Sequence, residues 1–231
     1  MRKFTILFMK KILVVTCSKT DGKQSQLVQS LSEMKDDVTL VINANNTSGL
    51  SKAYNKQLTP DNLIKHDIVL FIHDDVYIDD LKLKGKLYTA INQLKYDIIG
   101  LAGASKIKIR KPCLWHRMSE PKDWSGAVSH PLDNHSRLAV TTFGPWPSRC
   151  LVLDGLFLAV NLRRVLEAGW KFNEAFKYHH YDIAACLDAN KLKLTLGTYP
   201  IWVTHNSPGL RDINDKSFQQ SQDIFYNSYE Q

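Results

Sequence analysis

The sequence predicts an α/β protein with a doubly wound, mostly parallel central sheet flanked by helices. Strand-like and helix-like patterns alternate through about the first hundred residues, as in right-handed βαβ units. The unbroken apolar run at 68–72 is typical of a strand buried on both faces of a parallel sheet. A chain of 231 residues suits one domain with a substantial core, so we expect a single domain over residues 1–231.

The elements of the first half follow from their apolar patterns. We predict strands at 11–17, 38–43, 68–72 and 97–103. The predicted helices end near Met34, begin near Leu50 and cover 79–94. A turn-rich loop occupies residues 43–55 and leads into the second of these helices.

The regular pattern is lost between residues 104 and 150. Proline, tryptophan and histidine accumulate there, and the segment is too long for an idle loop, so we interpret it as a substrate-covering excursion with short strands. Beyond it we predict a strand at 151–160, helices at 161–169 and 180–191, and a closing strand or hairpin at 194–205. The tail from Gly209 is polar and has weak helical tendency.

A basic run follows the fourth predicted strand, where cationic residues alternate with isoleucines. The cations are Lys106, Lys108, Arg110 and Lys111. The alternation predicts an edge strand with a basic face. Such a face guards a sheet edge against aggregation, or it contacts phosphate or a membrane surface.

Composition narrows the partners and the compartment. The formal net charge of +7 suits anionic partners such as nucleotides, acidic membrane surfaces or nucleic acid. No recognised nucleic-acid motif is present, so we expect no nucleic-acid partner. The four cysteines are far apart and match neither zinc nor disulfide spacing, which indicates reduced thiols in a cytoplasmic protein.

The N-terminal residues briefly resemble a signal peptide. Lys10 and Lys11 interrupt the apolar stretch after Met9, and no small-residue cleavage site follows, so a secretory signal is not expected. No run reaches the roughly 18 apolar residues that a membrane span needs. Both Met1 and Met9 are compatible with the natural start.

Charged residues follow the buried strand at 68–72 directly. His73, Asp74 and Asp75 come at its C-terminal end, which is the edge where open α/β sheets bind ligands. Two adjacent carboxylates in one crevice repel each other and need a partner. A divalent metal carrying a diphosphate meets this need, because hard cations take oxygen ligands.

Five ordered signals across residues 11–209 resemble a family 2-like glycosyltransferase with the GT-A fold. They are the N-terminal βαβ unit, NxxxGLSKAYN, FIHDDV, the LDG segment with its strand, and YHHYDIAACLDA followed by a strand ending in HNSPG. More narrowly, the chain resembles the small group whose metal motif reads His-Gln-Asp-Val. The resemblance implies a nucleotide-sugar-binding half at 11–103, an acceptor and catalytic half at 104–209 and a polar tail at 210–231.

The resemblance implies a divalent metal, Mn²⁺ or Mg²⁺, and a nucleoside-diphosphate sugar as donor. The metal-binding acid of the family falls on Asp75, and His73 stands where related enzymes often carry another acid. Asp74 replaces the glutamine of the narrower group, which leaves open which carboxylate reaches the metal. His205, at the end of the last strand, corresponds to a histidine that touches the metal or the diphosphate in many relatives.

The resemblance also assigns catalytic roles. Asp182 corresponds to the acid that takes the proton from the acceptor hydroxyl, and a partly apolar surrounding would raise its pKa for that task. Helix capping is the alternative role for an aspartate at this position. Asp154 is the competing base or an acceptor-binding group, and Gly155 beside it would let substrate approach the backbone. Family 2-like enzymes mostly invert at the anomeric carbon, so we expect inversion.

The donor-binding residues are expected around the first two strands. The resemblance places Thr16, Ser18 and Asn43 against the base and ribose. Gly49, Lys52, Asn55 and Asp74 would reach the ribose or phosphates. For Lys52 the alternative is a solvent-facing side chain on a helix that packs through its other residues.

The acceptor is less defined, and a saccharide, a lipid-linked glycan and a protein all remain open. At most one of Trp115, Trp124 and Trp146 is expected to stack on a sugar ring, while packing in the core is the commoner role of tryptophan. Two other functions are also considered. A sugar nucleotidylyltransferase would want a glycine-rich loop after the first strand, where CSKTDGKQ has one glycine, and a catalytically degenerate nucleotide-sugar-binding module would keep the donor motifs.

Overall fold

The computed structural model describes residues 9–132, 137–207 and 212–230, and it contains two sheets. Within these ranges the strands are β1 (Ile12–Cys17), β2 (Val38–Asn43), β3 (Ile68–Ile72), β4 (Val76–Ile78), β5 (Ile98–Gly100), β6 (Ala102–Ala104), β7 (Trp124–Leu132), β8 (Arg137–Gly144), β9 (Ser148–Cys150), β10 (Val152–Leu153), β11 (Phe157–Asn161), β12 (Leu196–Thr198) and β13 (Val203–His205). The helices are α1 (Gln26–Leu31), α2 (Leu50–Asn55), α3 (Pro60–Lys65), α4 (Leu83–Leu94), α5 (Leu162–Glu167), α6 (Tyr181–Lys191) and α7 (Lys216–Tyr229). The N-terminal stretch before Met9 and the end of HNSPG lie outside the described residues.

The central sheet has seven strands in the order β2-β1-β3-β11-β5-β12-β9. Five of them run in one direction, and β11 and β9 oppose them. Every residue of β1 and β3 is buried, as the continuous apolar runs predict. The α/β class with a mostly parallel central sheet is therefore confirmed.

The position of β11 is a feature that the apolar patterns of the sequence do not indicate. This strand lies between β3 and β5 and pairs antiparallel with both. The predicted strand 151–160 is in fact two strands. Val152 and Leu153 join the second sheet, and Phe157–Asn161 enters the central one. The residues between them, Asp154 to Leu156, are therefore held at the junction of the sheets.

The second sheet has six strands, in the order β10-β6-β7-β13-β4 with β8 paired to β7. It explains why the predicted strand 97–103 divides into β5 and β6, which belong to different sheets. In β6 the neighbouring strand β10 approaches closely at Gly103, where an added Cβ would lie 2.2 Å from the carbonyl oxygen of Val152. The predicted closing hairpin at 194–205 is also wrong, because β12 and β13 lie in different sheets.

The helix predicted from residue 79 begins at Leu83 instead. Residues 76–78 form β4, which pairs with β13, and the backbone N–H of Asp79 donates to the Trp202 carbonyl at 3.1 Å. Asp80 then turns the chain, since its Oδ1 accepts from the backbone N–H of Lys82 at 3.1 Å. Pairing with a distant strand thus overrides the local helical pattern.

The basic run does not form the predicted edge strand. Residues 106–110 are irregular, and the Lys108 N–H donates to the Met118 carbonyl at 2.6 Å within this loop. Lys111 forms an ion pair with Asp223 of α7 at 2.6 Å. The membrane-surface contact that this run suggested stays a prediction. Among the described residues, none of the helices is both long and apolar enough to cross a membrane.

The polar tail also contains more structure than its composition predicts. α7 buries Phe218, Gln222 and Phe225 along one face, and Asp215 caps its start by accepting from two backbone N–H groups at 2.9 and 3.1 Å. The spacing of four and three residues between the buried positions is helical. Few apolar residues are enough to dock this helix, because only one of its faces contacts the core.

Candidate active site

A cavity of about 450 Å³ lies where β3, β10 and β13 end and α6 begins. Four of the proposed catalytic and metal-binding residues line it, namely His73, Asp154, Asp182 and His205. Its wall also contains Trp115, Trp124, His130, Phe143, Tyr181 and Phe218. The cavity therefore brings together residues from β3 to α7, more than a hundred positions apart in the chain.

His73, Asp75 and His205 form a cluster beside this cavity. Each offers one ligand atom, and the three atoms lie within 4.8 Å of one another. Asp75 Oδ1 and His205 Nε2 are 3.3 Å apart but are not aligned for a hydrogen bond. Both atoms are buried without a partner, which is costly for polar groups. A divalent cation would satisfy both, so the three residues fit a metal site.

The ionisation of Asp75 suits this role. Burial opposes its charge, but the adjacent His205 and His73 outweigh burial and hold the pKa of the carboxyl below its usual value. Burial also lowers the pKa of His73. A neutral imidazole and an ionised carboxylate are the forms that bind metals.

Tyr181 fixes the tautomer of His73. The Tyr181 hydroxyl donates to the Gly155 carbonyl at 2.8 Å, and it lies 3.0 Å from His73 Nε2. Because the hydroxyl has one proton and gives it to Gly155, it accepts from Nε2–H of His73. The lone pair of neutral His73 is then on Nδ1, the nitrogen left for a metal.

Asp182 lies in the first turn of α6, within the cavity wall. Its Oδ2 accepts from the Gly155 N–H at 2.9 Å. Burial, and then the negative charge of Asp154, raise the pKa of Asp182 to about 7, although backbone N–H groups work against this shift. A carboxyl with this pKa can take up a proton near neutral pH.

Asp154 is held at the junction between β10 and β11. Its Oδ2 accepts from Trp115 Nε1 at 2.8 Å and its Oδ1 from the Leu156 N–H at 3.1 Å. Gly155 also lines the cavity, so the approach of a substrate to its backbone stays a prediction. An added Cβ there would lie 2.5 Å from Tyr181 Oη and 2.8 Å from Asp182 Cβ, so glycine is needed for these two side chains to pack.

The predicted donor residues lie elsewhere, at the ends of β1 and β2. The parallel register puts Cys17 beside Asn43. Asn43 Nδ2 donates to the Thr16 carbonyl at 3.0 Å, and the Ser18 hydroxyl contacts Thr20 Oγ1 at 3.2 Å. The Thr16 hydroxyl is buried without a hydrogen-bond partner in the described structure. None of these residues lines the cavity described above.

The other four residues predicted to bind the donor differ in their surroundings. Gly49 has φ +91° and begins α2, where an added Cβ would lie 2.9 Å from the Lys177 Cα. Lys52 is solvent-exposed, in line with the alternative role of that side chain. Asn55 is a correction, because its amide donates to the Phe172 carbonyl at 2.9 Å and accepts from the Phe172 N–H at 2.9 Å. Asp74 is half-buried beside Cys17 and is outside the metal cluster.

Hydrogen bonds join the start of α2 and the loop before it to the segment that leads into the wall of the cavity. The Leu50 N–H donates to the Lys177 carbonyl at 2.6 Å, and the Ser51 hydroxyl donates to the Phe176 carbonyl at 2.6 Å. The Tyr178 hydroxyl donates to the Asn46 carbonyl at 3.1 Å. The start of α2 is thus tied to residues 172–178, which lead directly into α6.

Sequence reasoning missed several residues of the cavity. Phe143 belongs to β8, which came from a segment without a regular pattern. Phe218 comes from the polar tail, and its ring lies 4.8 Å from that of His180. His130 Nδ1 donates to the His205 carbonyl at 3.3 Å. The accumulation of aromatic residues and histidines in 104–150 was the available signal, but it did not indicate which of them converge.

The three candidate tryptophans differ in their position relative to the cavity. Trp115 and Trp124 line the cavity. Trp146 lies outside it and packs on Trp202, with 5.2 Å between the ring centroids. Stacking on a substrate in this cavity is therefore open to the first two only.

No protein-family model matches the sequence, and no curated protein matches it. Solved structures do resemble the fold. S. aureus TarS 1-349 in complex with UDP is 14% identical, with a TM-score of 0.50 over 85% of this chain and 60% of that one. The mannosyltransferase PcManGT from Pyrobaculum calidifontis, in complex with GDP-Man and Mn²⁺, is 10% identical, with a TM-score of 0.50 over 89% of this chain and 59% of that one.

A third similar structure is GalNAc-T7 with UDP, GalNAc and Mn²⁺. It is 8% identical, and its TM-score of 0.54 covers 96% of this chain and 48% of that chain. The chain thus spans 60% or less of the length of these three structures. At such low identity the likeness concerns the fold. The chain has the GT-A-type fold that the sequence predicts.

Proposed function

We propose that this protein is a metal-dependent glycosyltransferase that moves a sugar from a nucleoside-diphosphate sugar to an acceptor hydroxyl, with inversion at the anomeric carbon. The proposal includes the finer resemblance to family 2-like enzymes and the division into a donor half and an acceptor half. It rests on one arrangement. On a GT-A-type fold, a cluster of two imidazoles and a carboxylate with unpartnered buried atoms lies beside a cavity that holds Asp182.

The ligand set favours one of the two predicted metals. His73, Asp75 and His205 would supply two nitrogens and one oxygen. Mg²⁺ takes oxygen ligands and keeps several waters, so two imidazoles fit it poorly, whereas PcManGT and GalNAc-T7 carry Mn²⁺ in their structures. We therefore propose Mn²⁺. When bound, the cation would supply positive charge that offsets the charge of the donor diphosphate.

The donor would lie across the ends of β1, β2 and β3. Thr16, Ser18 and Asn43 are at this edge, and Asp74 and Asp75 follow β3 directly. TarS and PcManGT carry UDP and GDP-Man in their structures, which supports a nucleotide donor here. The base and the sugar are left to experiment.

The transfer itself needs one proton acceptor. Asp182 would remove the proton from the acceptor hydroxyl as that oxygen bonds to the anomeric carbon. The bond between this carbon and the diphosphate oxygen breaks on the opposite face, and the nucleoside diphosphate leaves with the electron pair. The pKa of about 7 for Asp182 lets the ionised form accept the proton near neutral pH.

Calorimetric titration tests the proposal. UDP, GDP, CDP and dTDP are titrated with Mn²⁺, with Mg²⁺ and with EDTA, against wild type and Asp75→Ala. We expect one nucleotide to bind with Mn²⁺, more weakly with Mg²⁺, and not with EDTA. Asp75→Ala should abolish this binding, because it removes one of three ligands.

The control is Asp79→Ala, an exposed carboxylate close in sequence that accepts from the Thr204 hydroxyl at 2.9 Å and is outside the metal cluster. It should bind the nucleotide as wild type does. If no nucleotide binds under any condition, the glycosyltransferase proposal fails. Equal binding in EDTA would refute the metal dependence alone.

A further inference from the structure

The cavity beside Asp182 differs in charge from the rest of the molecule. The chain carries a net charge of +7. Among the described residues, the wall of the cavity contains no lysine and no arginine, and its carboxylates are Asp154 and Asp182. An anionic ligand would therefore meet these two carboxylates. The charge of the proposed Mn²⁺ beside the wall would already be offset by the donor diphosphate, so pairing with the ligand would need a second cation.

The histidines of the wall do not supply that cation. Burial lowers the pKa of His116 and of His179 below the usual value. Burial and the neighbouring His179 lower the pKa of His180 to about 4. These rings are neutral at physiological pH, so the phosphate or carboxylate of a ligand would lose its hydration without gaining an ion pair.

One side of the cavity is a cluster of aromatic rings. The centroid of Trp115 lies 5.2 Å from that of Phe143 and 6.0 Å from that of Trp124. Trp115 Nε1 donates to Asp154 at 2.8 Å, and Trp124 Nε1 donates to the Ser119 hydroxyl at 2.7 Å. Because both indole N–H groups are already used, these rings offer a ligand carbon surface rather than hydrogen bonds.

We infer that the cavity binds an uncharged saccharide unit of the acceptor, with the C–H face of its ring against Trp124 and Phe143 and a hydroxyl directed at Asp182. This inference rests on the proposed function, whose catalytic residue it uses. Phosphorylated and carboxylated sugar units are excluded from the cavity. A lipid-linked or protein-linked acceptor is accommodated only if its charged groups stay outside.

Saturation-transfer NMR with matched sugar pairs tests the inference without a donor. The neutral probes are the methyl glycosides of glucose, galactose, mannose and N-acetylglucosamine. Each is paired with its 6-phosphate, and the first two also with their uronic acids. Irradiation of the protein aromatic protons should transfer most strongly to the C–H protons on one face of at least one neutral sugar.

Two variants locate the binding. Trp124→Leu should weaken binding of the neutral sugar by roughly tenfold, because the sugar ring would no longer stack on an indole and would bury less apolar surface. Trp146→Leu is the matched control, since Trp146 is outside the cavity, and it should change affinity less than about twofold. Thermal unfolding of each variant shows whether it has folded. Equal effects of the two variants would contradict the assigned position.

The outcomes separate this inference from the proposed function. The same samples are titrated with the nucleotides and Mn²⁺ as above. If a nucleotide binds but no neutral sugar does, or a phosphorylated or carboxylated partner binds as tightly as its neutral sugar, the inference is overturned while the donor site stands. If a neutral sugar binds and no nucleotide does, the cavity is a saccharide site and the transferase proposal fails.

Discussion

The ends of β1 and β2, where we propose that the donor binds and which we call the donor edge, differ in construction from the cavity beside Asp182. At the cavity, side chains from distant segments converge with their functional atoms facing one another. At the donor edge, several polar side chains are bonded to nearby backbone or to each other. Asn43 holds the Thr16 carbonyl and Asn46 holds the Gly49 carbonyl.

This difference predicts where side-chain substitutions matter. A side chain already bonded to the main chain shapes a loop and has less capacity left for a ligand. The donor edge should therefore bind its ligand largely through backbone groups. The cavity should depend on individual side chains, and single substitutions there should have the larger effects.

The largest effect is expected from Asp182→Asn. The amide cannot accept the proton, so kcat should fall by about 10³-fold, within the usual range for loss of a general base. Nucleotide affinity should be unchanged, because the donor edge is intact. Release of nucleoside diphosphate from the donor identified by calorimetry measures the rate.

Asp188→Asn is the control on the same helix, outside the cavity. It should retain the wild-type rate. More than a tenth of wild-type activity in Asp182→Asn would exclude this residue as the base.

Tyr181→Phe should give the next largest effect, on metal affinity. Without the hydroxyl, His73 loses the partner that fixes its tautomer, and loss of such an outer partner costs about 10- to 100-fold in metal affinity. Mn²⁺ titration by electron paramagnetic resonance measures the affinity, and ¹⁵N shifts of the imidazoles report the tautomer.

Tyr54→Phe is a close control. Tyr54 lies in the same aromatic cluster, 6.2 Å from Tyr181 between centroids, and its buried hydroxyl has no hydrogen-bond partner in the described structure. Its removal should leave metal affinity unchanged. An unchanged tautomer in Tyr181→Phe would show that another group orients His73.

Gly49→Ala tests the connection between the two regions. The positive φ and the close approach to the Lys177 backbone disfavour any Cβ, so we expect a loss of about 1–2 kcal/mol in the free energy of unfolding. Denaturant titration measures it. Gly85→Ala, in helix α4 with open space around it, should instead stabilise by up to about 1 kcal/mol. Destabilisation of both to the same extent would contradict this account.

The smallest effect expected is a shift in pH dependence. kcat/KM should fall as the pH drops below about 7, because Asp182 becomes protonated. Asp154→Asn removes a negative neighbour, so the pKa of Asp182 should fall and the acid limb should move to lower pH. A pH profile of both proteins measures the shift. An acid limb that stays in place would mean that Asp154 does not act on Asp182.

The same raised pKa has a consequence for stability. The contribution of Asp182 is fully present below its unfolded-state pKa, near the ordinary value of 3.8, and is lost as the pH rises through about 7. The free energy of unfolding of Asp182→Asn, taken relative to that of wild type, should therefore be higher at pH 8 than at pH 4. A difference that is independent of pH would contradict the shift.

Much of the fold could be predicted because its signals are local. β1, β2 and β3 are apolar runs whose bounds the structure reproduces within one residue. The splitting of 97–103 and 151–160 between two sheets could not be predicted, because it depends on partners distant in sequence. The helix start at Leu83 was missed for the same reason, since pairing of β4 with β13 decides it.

The candidate site shows a similar division. Asp75 was singled out by its place after a buried strand, and His205, Asp154 and Asp182 by the family resemblance. The structure places all four in or beside one cavity. Phe143 and Phe218 join the cavity only through tertiary packing. Tyr181 precedes Asp182 in the motif YHHYDIAACLDA. Its hydroxyl contacts His73 Nε2 and the Gly155 carbonyl, and these contacts between distant segments could not be predicted.

The place of β11 in the central sheet has a consequence for synthesis. β3 and β5 leave the ribosome long before residues 157–161, which must lie between them. Until then the edges of β3 and β5 that face each other in the final sheet have no native partner. Open edges of this kind invite pairing with other chains. Ribosome-bound chains that stop before residue 157 should therefore recruit chaperones that hold unfolded chains, and the released full-length chain should not.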